Sequence, residues 1–183
     1  MVLKPRRGAL KRSLLFLLLA FALGFQGIAG DGEDELKSAT VLSFLRYSTW
    51  PSVRPNLPLT VGVVGRPLFA KALGAFLEGK SVDGRPVQMI EIKPGTDLRV
   101  CQLIYFATEK KSEIEPALQM VASSHVLTIG EADRFLDYGG IANLLLIDGH
   151  IAFEVNLEAL ERSGIDISSK LLRFGQIRRR RGA

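Results

Sequence analysis

Leu59-Thr60-Val61-Gly62-Val63-Val64-Gly65-Arg66-Pro67 carries the strongest fold signal in the chain. Residues 59–64 are rich in β-branched side chains and reach Gly65 with no charge among them, which is the pattern of a strand buried on both faces. Pro67 then opens a helical pattern that continues to Leu77, because its fixed φ and missing N–H suit the first helical turn. Strand, tight turn and helix in that order form the unit from which α/β proteins are built.

The alternation continues downstream. Val87–Ile92 and Cys101–Phe106 read as strands, Ser112–Ala122 as a helix, and Val126–Ile129 as a further strand. Glu131–Leu136 reads as a brief helix interrupted by Gly139 and Gly140. Two strands, Ala142–Ile147 and His150–Val155, flank Asp148-Gly149, a dipeptide that favours a two-residue hairpin turn. Helices over Leu157–Arg162 and Ser168–Ile177, the second capped by Ser168, complete the pattern. Upstream, Leu36, Thr40, Phe44 and Tyr47 recur at helical spacing between Glu33 and Trp50, and Pro51 stops that helix. The expected architecture is a single α/β domain over residues 30–177, a mixed sheet flanked by helices on both faces.

The first thirty residues have a different composition. Lys4, Arg6, Arg7, Lys11 and Arg12 precede an apolar run from Leu14 to Phe25, and small residues follow at Gly27 and Ala29. This is the layout of a signal peptide cleaved after Ala29, so residues 1–29 are expected to be a leader; an uncleaved anchor is the competing reading. The leader holds five of the twenty-four basic residues and none of the nineteen acidic ones, so the remainder is neutral overall. Nucleic-acid binding therefore does not follow from the high pI. The basic residues Arg178, Arg179, Arg180 and Arg181 form a tail over residues 178–183, read either as solvated or as a weak contact with a membrane surface or an acidic partner.

Little in the chain suggests a reactive centre. Val61–Pro67 lacks the third glycine of a dinucleotide fingerprint and the lysine of a phosphate loop, although Gly65, Arg66 and the following helix start form a candidate anion site. His125 and His150 are the only imidazoles, Cys101 is the single cysteine, and neither set has metal-ligand spacing. No catalytic residue, metal or cofactor is expected. Phe44, Tyr47, Trp50 and Asn156, at helix ends, are the candidate partner-binding residues, with a helix cap and a domain lid as the structural readings of Asn156 and Trp50. A small-ligand module using the crevice near Gly65 and Arg66 is the alternative function.

Leu36-Lys37-Ser38-Ala39 through Phe44-Leu45-Arg46-Tyr47 with Trp50-Pro51, then the 59–65 strand, Gly84-Arg85-Pro86-Val87, Cys101-Gln102-Leu103-Ile104-Tyr105, Val126-Leu127-Thr128, Gly139-Gly140, Phe153-Glu154-Val155-Asn156 and Ser168-Ser169-Lys170-Leu171-Leu172 come one after another in an order that resembles the YfiR family. The resemblance implies a periplasmic α/β protein that represses a membrane-bound diguanylate cyclase by binding its periplasmic part, an inhibitor or sensor and not an enzyme. It also implies a homodimer. Better-studied members carry cysteine pairs; here only Cys101 matches, so an internal redox bridge has no second thiol.

Overall fold

The computed structural model describes residues 28–51 and 57–178. Chain contacts divide it into two units, Met1–Glu33 and Asp34–Ala183, and the sheet belongs to the second. Residues 1–27 of the expected leader and Arg179–Arg181 of the expected tail lie outside the described residues.

Eight strands form one sheet. In chain order the elements are α1 (Ile28–Arg46), β1 (Ser48–Thr49), β2 (Leu59–Gly65), α2 (Pro67–Leu77), β3 (Ser81–Val82), β4 (Arg85–Glu91), a single turn of 3-10 helix at Leu98–Val100, β5 (Leu103–Ala107), α3 (Lys111–Val121), β6 (Leu127–Gly130), β7 (Ala142–Ile147), β8 (His150–Asn156), α4 (Leu157–Ser163), β9 (Asp166–Ile167), α5 (Ser169–Leu172) and β10 (Gln176–Arg178). Across the sheet the order is β10-β8-β7-β6-β5-β2-β4-β3, and β1 pairs with β9 separately. Strands β4, β2, β5, β6 and β7 are parallel, whereas β8 and β3 join them antiparallel.

Strand order explains the two layers. From β2 the chain crosses through α2 to β4 on one side, then returns to β5 on the other side and proceeds through α3 to β6. Crossovers that keep one hand while travelling in opposite directions place their helices on opposite faces. Accordingly α2 (Phe69, Ala70, Leu73, Leu77) packs with Val61, Val63, Leu103 and Tyr105, together with Val41, Phe44 and Leu45 of α1 and Leu160 of α4. Helix α3 (Ile114, Leu118, Val121) packs with Ile104 and Phe106 on the other face. Alternate residues of β5 thus enter different cores, and all five are buried, as the near-continuous apolar run requires.

The expected mixed sheet with helices on both faces is present, and three local features differ from expectation. Glu131–Leu136 is not a helix; consecutive turns run over residues 133–139. Phe135 is fully buried, and a Cβ added at Gly130 or Gly140 would run into its ring, so the chain folds around that side chain. Ser168–Ile177 splits into short α5 and edge strand β10, whose Ile177 pairs in register with Val155 of β8. Arg178, the first residue of the expected tail, is the last residue of β10 and forms ion pairs with Glu154 at 3.3 Å and Asp137 at 3.8 Å. In α1 the buried stripe is Ser38, Val41, Leu42, Phe44 and Leu45, whereas Leu36 and Tyr47 of the expected stripe are each 43 % exposed. The hairpin is as expected: Asp148 (φ 49°) and Gly149 (φ 76°) both adopt the positive φ that a tight two-residue turn between twisted strands demands.

Phe44, expected on a binding surface, belongs to the core. Its ring is fully buried and meets Phe153 edge-on at 5.1 Å between centroids. Phe44→Ala is expected to cost about 3–5 kcal/mol in denaturant unfolding. Tyr47→Ala, at an exposed site, is expected to stay within about 0.5 kcal/mol of wild type.

Candidate functional site

Open α/β sheets hold ligands in the crevice beyond the carboxyl ends of the strands, where the strand order reverses. Here that point lies between β2 and β5, and the expected anion residues Gly65 and Arg66 stand on it. Gly65 has φ +95°, and a Cβ there would come within 2.5 Å of the Ala107 carbonyl oxygen, so only glycine fits. The Arg66 backbone N–H donates to that same carbonyl at 3.1 Å, which seals the turn.

Helix α1 supplies the rest of the site. Arg66 Nη2 donates to Asp34 Oδ1 at 2.7 Å, and its guanidinium stacks over Phe69 with 5.2 Å to the ring centroid. One turn further along α1, the buried Lys37 Nζ donates to Glu131 Oε2 at 2.5 Å. Glu131 comes directly after β6, and the same oxygen accepts from the Tyr105 hydroxyl at 2.8 Å. Burial, and then the Glu131 charge, push the Tyr105 phenol far above its ordinary range, so it remains a neutral hydrogen-bond donor at physiological pH. Tyr105 stacks on Phe69 at 4.6 Å between centroids. The protein's own Asp34 carboxylate thus engages one N–H of the Arg66 guanidinium, whose side chain stays 41 % exposed.

At the opposite ends of the strands a second polar set is structural. Trp50 is 8 % exposed, and its indole N–H donates to the Gln102 carbonyl at 3.1 Å. Gln102 Oε1 accepts from the Thr60 backbone N–H at 2.7 Å, and Thr60 Oγ1 accepts from Gln88 Nε2 at 2.9 Å. Trp50 thus closes the lower end of the core. Asn156 caps α4: its Oδ1 accepts from the Ala159 N–H at 3.1 Å, while its Nδ2 donates to the Leu136 carbonyl at 3.2 Å. Of the four candidate partner-binding residues, only Tyr47 offers substantial exposed side chain.

The nucleophile and base types are occupied as well. His125 Nδ1 lies 2.8 Å from the Ser163 carbonyl oxygen, and His150 Nδ1 lies 2.9 Å from that of Asp148. Cys101 is buried, which pushes its thiol up to about 11, with the Asp97 charge adding to the effect. A thiol held protonated at neutral pH is a poor nucleophile. Among the described residues no cluster of three or more His, Cys, Asp or Glu is placed to hold a metal, and no helix is long and apolar enough to cross a membrane.

Sequence reasoning missed Lys37, Glu131, Asp34 and Tyr105. One signal was available for Lys37: with Ser38 it interrupts the apolar stripe between Leu36 and Leu42, and a lysine within such a face implies a carboxylate partner. Removing one member of a buried ion pair leaves its partner uncompensated. Lys37→Met and Glu131→Gln are each expected to cost about 3 kcal/mol, and the double variant less than the sum by about 1.5 kcal/mol, in a double-mutant cycle of urea unfolding. Strictly additive losses would place the two side chains out of contact.

Comparison with known families supplies the last observation. A family model described as YfiR/HmsC-like matches residues 34–176, from the Asp34 carboxylate that pairs with Arg66 to the first residue of β10. That span takes in every strand of the main sheet but the last two residues of β10, and all the residues of the polar site, so by its matched length and its fold the chain belongs to the YfiR/HmsC-like family.

Proposed function

We propose that the exported domain is a periplasmic regulator that binds the periplasmic part of an inner-membrane diguanylate cyclase and holds it in a less active arrangement. Membership of the YfiR/HmsC-like family across residues 34–176 is the observation that carries this reading. The leader-like pattern of residues 1–29 supports export. The titratable groups make contacts within the domain: His125 and His150 each lie against a backbone carbonyl, and Asp34 and Glu131 pair with Arg66 and Lys37. What the surface presents is contact area, including Tyr47 and Leu36 on α1 and Leu68 on α2. A small-ligand module would use the Gly65–Arg66 crevice, where Arg66 Nη2 is engaged by Asp34 of α1.

Repression of this kind is a population shift. A regulator that binds one conformer of the cyclase more tightly by about 2.7 kcal/mol changes the ratio of conformers a hundredfold. Two copies of the domain on a dimeric cyclase would impose that bias symmetrically.

Deletion of the gene is expected to raise cellular cyclic-di-GMP and surface attachment, and the full chain supplied in trans to reverse both. Residues 30–183 without the leader are expected to fail, because they would remain on the wrong side of the membrane. Crosslinking in the intact envelope is expected to trap an integral membrane protein with a cytoplasmic cyclase domain. Unchanged cyclic-di-GMP on deletion would refute the reading.

A further inference from the structure

We propose that two copies of the domain pair edge to edge through β7, antiparallel and centred on Leu146. The β7–β8 hairpin reaches past its neighbours. Pairing of β6 with β7 stops at Gly130 and Asn143, and pairing of β10 with β8 covers only residues 154–156. Beyond those points β7 and β8 stay in register to Ile147 and His150, so the end of the hairpin is a two-stranded ribbon with no strand on either side. Ile147 and His150 flank the two-residue turn and bond to each other, which turns the N–H and C=O groups of Leu146 and Ile151, the next pair, outward. Among the described residues no turn or cap bond reaches either backbone. Leu146 and Ile147 are each 49 % exposed.

Open strand edges are ordinarily short or charged, because bare backbone groups recruit other strands. The two outer strands of this sheet follow that rule: β3 is two residues long and leads into Asp83, and β10 is three residues long and ends in Arg178. Strand β7 does not, since Ala142-Asn143-Leu144-Leu145-Leu146-Ile147 has neither a charge nor a proline. A single exposed leucine is unremarkable, as Leu68 shows, but a bare uncharged edge calls for a cover. Between Leu144 and Phe153 the one formal charge is Asp148, so an anionic lipid surface finds no cation there and a charged strand no counter-charge. What fits is an extended, uncharged, apolar segment with free backbone groups of its own, and a second β7 is such a segment. About a twofold axis at Leu146, each copy donates its Leu146 N–H to the other's Leu146 carbonyl, Leu145 of one faces Ile147 of the other, and no like charges are opposed. The pairing does not depend on which protein the domain regulates.

The test is sedimentation equilibrium, over a range of concentrations, of the chain purified from cells that express the full sequence. A monomer–dimer equilibrium is expected. Leu146→Lys sets two ammonium groups against each other at the axis and should raise the dissociation constant about a hundredfold. Leu146→Thr should raise it about tenfold, while Leu68→Lys should leave it unchanged. Thermal unfolding checks that each variant is folded, and Leu146→Thr, which keeps a good strand former, decides the matter if Leu146→Lys is not. Hydrogen exchange reads the backbone itself: protection of the Leu146 amide should rise with protein concentration. A wild-type chain that stays monomeric, a dimer undiminished in a folded Leu146 variant, or a Leu146 amide indifferent to concentration would each overturn the proposal. Protection of that amide in a monomer, gained only on adding a different protein, would overturn it too and assign the edge to that protein's strand.

Discussion

A buried ammonium-carboxylate contact holds the first helix over the open ends of the parallel strands, and the character of the molecule depends on it. Lys37 belongs to α1 and Glu131 to the turn after β6, ninety-four positions apart in the chain. An unpaired charge at either place would carry a large desolvation cost, so each makes the other tolerable. Tyr105 donates to the same carboxylate from the middle of the sheet, and Asp34 engages Arg66 one helical turn earlier. Helix α1 lies outside every strand-helix-strand crossover, so these contacts and the apolar stripe around Phe44, with the β1–β9 pairing and the Trp50–Gln102 bond just beyond its end, decide where it sits.

That placement changes what the fold can do. The place where β2 and β5 diverge is where open sheets of this type receive their ligands. Here the helix that precedes β2 supplies a carboxylate to the arginine and a lysine to the glutamate, and the polar groups aimed at the crevice satisfy one another. The family's regulatory character has a physical counterpart in this arrangement: the fold retains the doubly wound frame and uses its switch point for self-association of helix and sheet.

Legibility in the sequence tracked the range of the interactions. Strand β2, helices α2 and α3 and the β7–β8 hairpin were all readable because their determinants are local: β-branched runs, Pro67 at a helix start, Asp148-Gly149 at a turn. Ser168 and Asn156 were readable as caps for the same reason, and both accept the expected backbone N–H groups. The Glu131–Leu136 segment was not, since its helix-compatible residues give way to the volume of Phe135 between two glycines that are neighbours only in three dimensions. Strand β10 was hidden likewise: residues 176–178 are exposed, and their strand character comes from the edge of β8 that they join. The Lys37–Glu131–Tyr105 cluster required the folded sheet to bring three distant positions together, whereas Phe44 and Trp50 looked like surface anchors only because helix ends do not reveal which side is covered.

On the proposed function, this domain acts by fitting against a membrane cyclase and not by turning over a substrate or storing a metabolite. The most direct measurement is cyclic-di-GMP synthesis by the full-length cyclase, reconstituted in lipid nanodiscs and titrated with residues 30–183 added on the face away from the catalytic domain. A saturable fall in synthesis, with the added chain recovered chemically unchanged, is the predicted result. Undiminished synthesis at every concentration, from a cyclase known to be trapped by crosslinking in the envelope, would contradict it.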